Sequence, residues 1–144
     1  MSTDRSTLPD LVTGRLSSAV VSDILDDLGH RDHVLDPAIR PLGDASVIAG
    51  WANPVLVSEV DEIPAERYVG EIAALDDIAP DDMVLICAGG SIRAACWGDL
   101  FSTAARLRGA CGTLIDGYCR DAQAINPPCG AAGCCLWTST VGSR

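Results

Sequence analysis

The stretch from Gly89 to Asp121 constrains the fold more than any other part of the sequence. It opens with a glycine-rich turn and continues into a helix that starts at Gly98. A second glycine turn, Gly109–Gly112, leads into an apolar strand over Thr113–Tyr118. The strand is followed directly by Arg120 and Asp121. This order predicts that a strand end and a helix start lie near each other.

Three kinds of group in this stretch suit a small anionic ligand. The first N–H groups of a helix have no intrahelical partner and favour anions. An arginine fork binds a carboxylate through two parallel hydrogen bonds, and aspartate is a ligand for hard cations. Together they predict a pocket for a small carboxylate beside a divalent metal, formed by Gly98, Asp99, Leu100, Phe101, Arg120 and Asp121.

The residue types that are rare in the chain narrow the chemistry. The sequence contains no lysine, so its ten cationic side chains are all arginine. A Schiff-base aldolase needs a lysine amine, and any aldol chemistry would therefore be metal-assisted. The only histidines, His30 and His33, leave few nitrogen ligands for zinc, and His33 is interpreted as a loop residue without a catalytic role. Oxygen ligands, and with them Mg²⁺ or Mn²⁺, are favoured.

Length and charge exclude several classes of protein. A chain of 144 residues suits one domain that buries roughly 68–70% of its unfolded surface. A net charge of −10 disfavours nucleic acid and anionic membranes, because phosphate contacts need clustered cations. No apolar run approaches the ~20 residues that span a bilayer, and the polar N-terminus lacks a signal-peptide core. We therefore predict a cytoplasmic protein.

Asp99 and the Arg120-Asp121 pair, twenty residues apart, reproduce a known motif. The chain resembles the family that comprises the regulator of ribonuclease E activity A and the 4-hydroxy-4-methyl-2-oxoglutarate aldolases, from about Ser17 to Asp121. Some members of that family carry an older label as menaquinone methyltransferases. The resemblance implies a β/β/α swivelling-type domain, usually assembled as a trimer or a dimer of trimers with the site between subunits.

The same resemblance implies a metal-dependent lyase that acts on a 2-oxo acid. Such an enzyme cleaves 4-hydroxy-4-methyl-2-oxoglutarate to pyruvate or decarboxylates oxaloacetate, in both cases through pyruvate enolate. Arg120 would bind the substrate carboxylate, Asp121 would hold the metal, and Asp99 would position or deprotonate a metal-associated water. The backbone amides from Gly98 to Phe101 would complete the substrate site.

Two other functions remain open at this point. One is a non-catalytic regulator that binds ribonuclease E, since an acidic surface suits a basic partner. The other is an inactive, truncated family member. An Arg-Asp dipeptide by itself is usually only a surface ion pair, worth ~0–1 kcal/mol, and the spacing to Asp99 is what favours the lyase.

Helical and strand patterns alternate along the rest of the chain. Ser17 or Ser18 is predicted to cap a helix that extends to about Leu28. Strand-type sequence at 45–57 contains Pro54, which indicates an edge strand or a bulge. A helix over 66–77 and a buried strand over 83–88 follow, so the order predicts an α/β layered fold.

Side-chain positions can also be predicted around the central stretch. Gly117 indicates a bulge or a close backbone approach, and Arg93 an exposed ion pair. Four cysteines in apolar surroundings are predicted to be core residues: Cys87, Cys96, Cys111 and Cys119. The helix from Gly98 is predicted to turn five residues inward: Leu100, Phe101, Ala104, Ala105 and Leu107.

The composition changes abruptly after Asp121. All 20 acidic residues lie at or before it, and the 23 residues that follow carry one charged side chain, Arg144. The family has an acidic residue where this chain has Ala124. We divide the chain into an N-terminal arm (1–15), an aldolase/ribonuclease-regulator-like α/β domain (16–121) and an atypical tail (122–144). We interpret the tail as a frameshifted or otherwise replaced end of a longer family member, which would leave the fold incomplete at its C-terminus.

Overall fold

The computed structural model describes residues 16–42, 48–125 and 135–141. The predicted arm and the tail cysteines Cys129 and Cys134 lie outside these residues. The helices are α1 (Ser18–Asp27), α2 (Val69–Asp76), α3 (Asp99–Leu107) and α4 (Ala122–Ile125); the strands are β1 (Arg40–Pro41), β2 (Trp51–Leu56), β3 (Asp82–Cys87), β4 (Ala95–Trp97), β5 (Gly112–Cys119) and β6 (Cys135–Val141). None of the helices in this part of the chain has the length and apolar character needed to cross a bilayer.

The strands form one mixed sheet in the order β1-β6-β5-β3-β2, with β4 beside β5. All neighbours run parallel except β1, which is antiparallel to β6. Pro54 lies in β2, at the edge of the sheet, where a missing N–H is tolerated. The carboxyl ends of the parallel strands meet at one edge, as expected for an α/β fold, and the α/β prediction is confirmed.

Strand β5 changes neighbours along its length at Gly117. Over 112–116 it pairs with β3, and at Tyr118 and Cys119 it pairs with β4. A Cβ atom at Gly117 would lie 2.9 Å from the Cβ of Ala88. The predicted close backbone approach is therefore confirmed, and it allows β3 to leave the sheet just where β4 joins it.

The core lies where α2 and α3 cover the sheet. Ile115, Ala105 and Cys119 have no exposed surface. They belong to a single cluster whose other members are Leu75, Ile78, Val84, Ile86, Trp97, Ala110 and Ile125. Ala105 brings α3 into this cluster, since it lies on the face of the helix that packs there.

The inward face of α3 differs from the prediction. Leu100 and Leu107 are each 80% exposed, whereas Ser102 and Ala105 are buried. Ser102 tolerates burial because its Oγ accepts a hydrogen bond from the Trp97 indole, at 2.7 Å. The inward face of α3 therefore includes a hydrogen-bonded hydroxyl, while the two leucines point to solvent.

Helix α1 begins as predicted but buries none of its side chains. Ser17 Oγ accepts from the Val20 N–H at 3.3 Å, and Gly29, at φ +86°, follows the helix end. The apolar stripe stays in solvent, with Val20, Ile24 and Leu28 at 45, 48 and 68% exposure.

Two further predictions need correction, and part of the predicted tail forms regular structure. Helix α2 begins at Val69 rather than 66, because Tyr68 adopts a left-handed conformation at φ 64°. Cys87 is exposed at the carboxyl end of β3, while Cys119 is buried as predicted. Cys96 and Cys111 are partly exposed. The segment treated as an atypical tail contributes α4 and β6, and β6 pairs with both β5 and β1.

Candidate active site

The start of α3 and the end of β5 meet at the carboxyl edge of the sheet. Gly98 is the N-cap residue of α3, in an extended conformation and without a side-chain cap. The missing cap comes from the other element, since the Asp99 N–H donates to Asp121 Oδ2 at 3.4 Å. A carboxylate at this end also interacts favourably with the helix dipole.

Arg120 and Asp121 are held in place by their main chain and leave their charged ends accessible. The Arg120 N–H donates to the Trp97 carbonyl at 3.1 Å. Its Nε lies 3.5 Å from Asp121 Oδ2, and the two side chains are 62% and 43% exposed. Asp121 adopts φ 59°, a left-handed conformation uncommon outside glycine. Its carbonyl accepts hydrogen bonds from the N–H groups of Ala124 and Ile125, the last two residues of α4.

Gly98 is the point on which these side chains converge. A Cβ atom there would lie 2.8 Å from Asp121 Oδ2 and 3.0 Å from Arg120 Nε. Both distances are shorter than van der Waals contact, so only glycine leaves the arginine and the carboxylate where they are. This arrangement of Arg120 and Asp121 therefore requires glycine at position 98.

The six predicted site residues occupy different positions relative to this edge. The structure brings Gly98, Asp99, Arg120 and Asp121 together. The Leu100 side chain points to solvent, and the Phe101 ring packs on Trp97 at a centroid distance of 5.7 Å. Their backbone amides nevertheless precede the first intrahelical bond of α3, which the Ser102 N–H makes to the Gly98 carbonyl at 3.0 Å. The main chain, not the side chains, is what Leu100 and Phe101 can offer to a ligand.

The donor set fits a hard cation that keeps most of its own water. Within the described residues no cluster of three or more histidine, cysteine, aspartate or glutamate side chains is arranged to hold a metal. Mg²⁺ is commonly held by one or two carboxylates and retains several waters. Asp121, accessible and beside the helix start, provides one such carboxylate, and Asp99 adds a second acidic side chain nearby.

A second polar cluster joins the loops that follow β2 and β3. Glu59 accepts from Ser91 Oγ and from Arg93 Nη1, each at 2.5 Å. The hydrogen bond from Ser91, and after it the one from Arg93, lowers the pKa of Glu59. Arg93 thus forms the predicted exposed ion pair, but the sequence did not indicate its partner, because nothing in the spacing of Glu59 relates it to the Gly89-Gly90 turn.

Two further contacts were not predicted. Ser22 Oγ lies 2.7 Å from His33 Nε2, and His33 Nδ1 lies 2.6 Å from the His30 carbonyl. Together they tie the loop after α1 back to the helix. The predicted role of His33 as a loop residue outside the site fits this position.

The cysteines next to the site are not reactive nucleophiles. Burial, the neighbouring Cys96 and Asp121 raise the pKa of the Cys119 thiol to about 12, and burial also raises the pKa of Cys96. Because the thiolate is the reactive form, both remain protonated near neutral pH. A mostly apolar cavity of about 30 Å³ lies between α2 and the sheet, and Cys96, Trp97 and Phe101 line part of it.

A comparison with known families gives this geometry its context. The model of the RraA-like family, described as Aldolase/RraA, matches residues 18–135. The chain belongs to this family. The match starts where the resemblance was predicted to start and extends beyond Asp121 to the first residue of β6.

One relative matches most of the chain in sequence. A protein of Halalkalibacterium halodurans named "Putative 4-hydroxy-4-methyl-2-oxoglutarate aldolase" is 28% identical over 109 residues, which cover 76% of this chain and 47% of that protein. The matched region is thus about half of the relative's length.

Two solved structures show the same fold. One is described as that of novel cellulases from microbes associated with the gut ecosystem; its TM-score is 0.87 at 20% identity, over 100% of this chain and 62% of the other. The second is RraAS2 of Streptomyces coelicolor, described as an unusual member of the RNase ES inhibitor RraA family. Its TM-score is 0.74 at 24% identity, over 92% and 62% of the two chains. At these identities the likeness shows the fold alone.

Proposed function

We propose that the chain is a divalent-metal-dependent lyase that releases pyruvate from a small 2-oxo acid, either 4-hydroxy-4-methyl-2-oxoglutarate or oxaloacetate. One observation carries this proposal: Arg120 and Asp121 converge on Gly98 at the N-terminus of α3. A guanidinium, a carboxylate and free helix amides then lie within a few ångströms of each other. Family membership supports the same class of reaction.

In the proposed reaction, Arg120 binds the carboxylate of the 2-oxo acid, since its exposed fork presents two parallel N–H donors. The amides of Leu100 and Phe101 receive the oxo or carboxylate oxygen at the positive end of the helix. Asp121 is the residue that would hold Mg²⁺ or Mn²⁺, and the cation supplies Lewis-acid stabilisation of developing negative charge. The Asp99 carboxylate, on the first turn of α3, would accept or return the proton.

A coupled assay of pyruvate release tests the proposal directly. Both substrates are offered with Mg²⁺, with Mn²⁺ and with a chelator. Asp121→Asn is the sharpest variant, because asparagine tolerates the left-handed backbone at this position while the negative charge is lost. We expect turnover to fall at least about 100-fold, since the lost stabilisation amounts to several kcal/mol.

The exposed Asp27 on α1 provides the control. Asp27→Asn removes the same charge far from the site and should leave the rate unchanged. Undiminished turnover by Asp121→Asn, or a wild-type chain that releases no pyruvate with either metal, would contradict the proposed function.

A regulatory function is the second candidate, favoured by the net charge of −10. An acidic surface suits a basic, RNA-binding partner such as ribonuclease E. Inhibition of ribonuclease E cleavage by the purified chain, at low but not at high salt and without pyruvate release, would favour this reading.

For either function we propose a cytoplasmic homo-oligomer, a trimer or a dimer of trimers. The apolar stripe of α1 supports an assembly, since Val20, Ile24 and Leu28 are exposed together and contiguous apolar surface marks interaction sites. Light scattering of the purified chain measures the assembly; a monomer at working concentration would contradict this.

A further inference from the structure

Ser102 holds the two residues that form the base of the proposed site. Its side chain is only 7% exposed. The hydroxyl accepts the Trp97 indole N–H at 2.7 Å, and its backbone N–H donates to the Gly98 carbonyl at 3.0 Å. One residue on α3 therefore fixes both the ring of Trp97 and the peptide that follows it.

Trp97 in turn fixes Arg120. Its carbonyl accepts the Arg120 N–H at 3.1 Å, and β4 is registered on β5 through Trp97 and Cys119. Gly98, the next residue, is the one whose missing Cβ leaves room for the Arg120 and Asp121 side chains. A small displacement of Trp97 would therefore move both Arg120 and Gly98.

We infer that Ser102 is a positioning residue that sets the geometry of the Arg120–Asp121 site through Trp97. The inference rests on the proposed function for its kinetic consequences, but the structural coupling can be measured without turnover. The Ser102 hydroxyl is buried and bonded to the Trp97 indole, so we assign it no contact with the ligand.

The chemistry of the buried indole explains why a hydroxyl is needed at this position. An indole N–H can only donate, so it needs an acceptor when buried. With alanine at 102 the N–H is left unpaired, which favours rotation of the ring or entry of water. Threonine keeps the acceptor, and it is tolerated within a helix with only a small loss of side-chain freedom.

The test combines two variants at Ser102 with one at Trp97. Ser102→Ala removes the acceptor, Ser102→Thr retains it, and Trp97→Phe removes the donor from the other side. Thr103→Ala makes the same kind of truncation one residue further along α3 and serves as the control. Amide and indole signals are followed by ¹H–¹⁵N NMR, and pyruvate release gives KM and kcat.

We expect Ser102→Ala to shift the Trp97 indole signal together with the Arg120 amide signal, and Ser102→Thr to restore both. KM for the 2-oxo acid should rise about tenfold or more, because small misplacements of binding groups have large effects. A merely structural role would lower the active fraction, and with it kcat, while leaving KM unchanged. In the Trp97→Phe background, Ser102→Ala should cause little further change in the Arg120 amide signal or in KM, because the effects of coupled residues are not additive.

Movement of the indole signal without any change at Arg120, or full additivity of the two variants, would overturn the inference. If Ser102→Ala does not fold, Trp97→Phe is used alone. A shift of the Arg120 amide signal then supports the inference, and an unchanged signal overturns it. A wild-type chain without turnover overturns the proposed function only, since the Arg120 signal still decides whether Ser102 acts on the site.

Discussion

Helices α1 and α3 are both amphipathic in sequence but have opposite relations to the rest of the molecule. Both begin at a cap position and carry apolar residues at helical spacing. Helix α3 is fixed by Trp97, by the buried Ala105 and by the Asp121 carboxylate at its N-terminus. Helix α1 buries no side chain, and its fixed contacts include the Ser17 cap and the bond from Ser22 to His33. Periodicity thus predicts that a helix forms, but contacts with other elements decide what it covers.

The largest expected difference between the two regions concerns stability. Ile115→Ala should lower the free energy of unfolding by about 2–5 kcal/mol, because it opens a cavity in the core beneath α3. Ile24→Ala, the same truncation on the half-exposed stripe of α1, should change it by no more than about 0.5 kcal/mol. Urea denaturation of both variants measures the two values. Equal losses would show that α1 is covered in solution, for example by another copy of the chain.

The next expected effect separates the geometry of the site from the stability of the fold. Gly98→Ala places a methyl group against the exposed ends of Arg120 and Asp121, which can move aside without disturbing the core. We expect pyruvate release to fall about 100-fold, as for a displacement of about 1 Å, with little change in the melting temperature.

Gly70 in α2 is the matched control, because a Cβ atom there meets nothing within 4 Å. Gly70→Ala should leave activity intact and stabilise the chain by about 0.5–1 kcal/mol. If Gly98→Ala retained full activity, the convergence at Gly98 would have no functional meaning.

The smallest expected effect compares two exposed arginines. Arg120→Lys should raise KM roughly tenfold, because a point charge replaces a bidentate fork. Arg93→Lys changes an arginine already engaged by Glu59 in an exposed ion pair, which water and salt weaken. Its KM should stay within about twofold of the wild type. Comparable losses in both variants would place the loop after β3 within the substrate site.

Much of the fold followed from local patterns. The Ser17 cap, the edge position of Pro54 and the close approach at Gly117 each have a steric or hydrogen-bonding cause that is local in sequence, and the structure confirms all three. The rotation of α3 does not follow from such patterns. Trp97 and Ser102 are only five residues apart, but their hydrogen bond accompanies a polar residue on the inward face, whereas a count of apolar residues predicts that Leu100 and Leu107 point inward.

The sequence predicted which candidate residues lie together, but not how each of them is held. The spacing of Asp99 from Arg120 and Asp121 indicated which groups meet, and the structure places them at one edge. It did not indicate that Asp121 would bond to the Asp99 amide, or that Leu100 and Phe101 would contribute only their main chain. These features depend on the backbone conformation at Gly98 and Asp121, which composition does not encode.

The exchange of neighbours along β5 has a consequence for how such a protein can diversify. Because β3 departs at Cys87 and β4 joins at Ala95, the connection between them includes Ser91 and Arg93, which lie outside both pairings on β5. Insertions or substitutions around these two residues can change the exposed surface of the connection while the two strand pairings stay intact. The sheet therefore provides a position where the surface can evolve separately from folding.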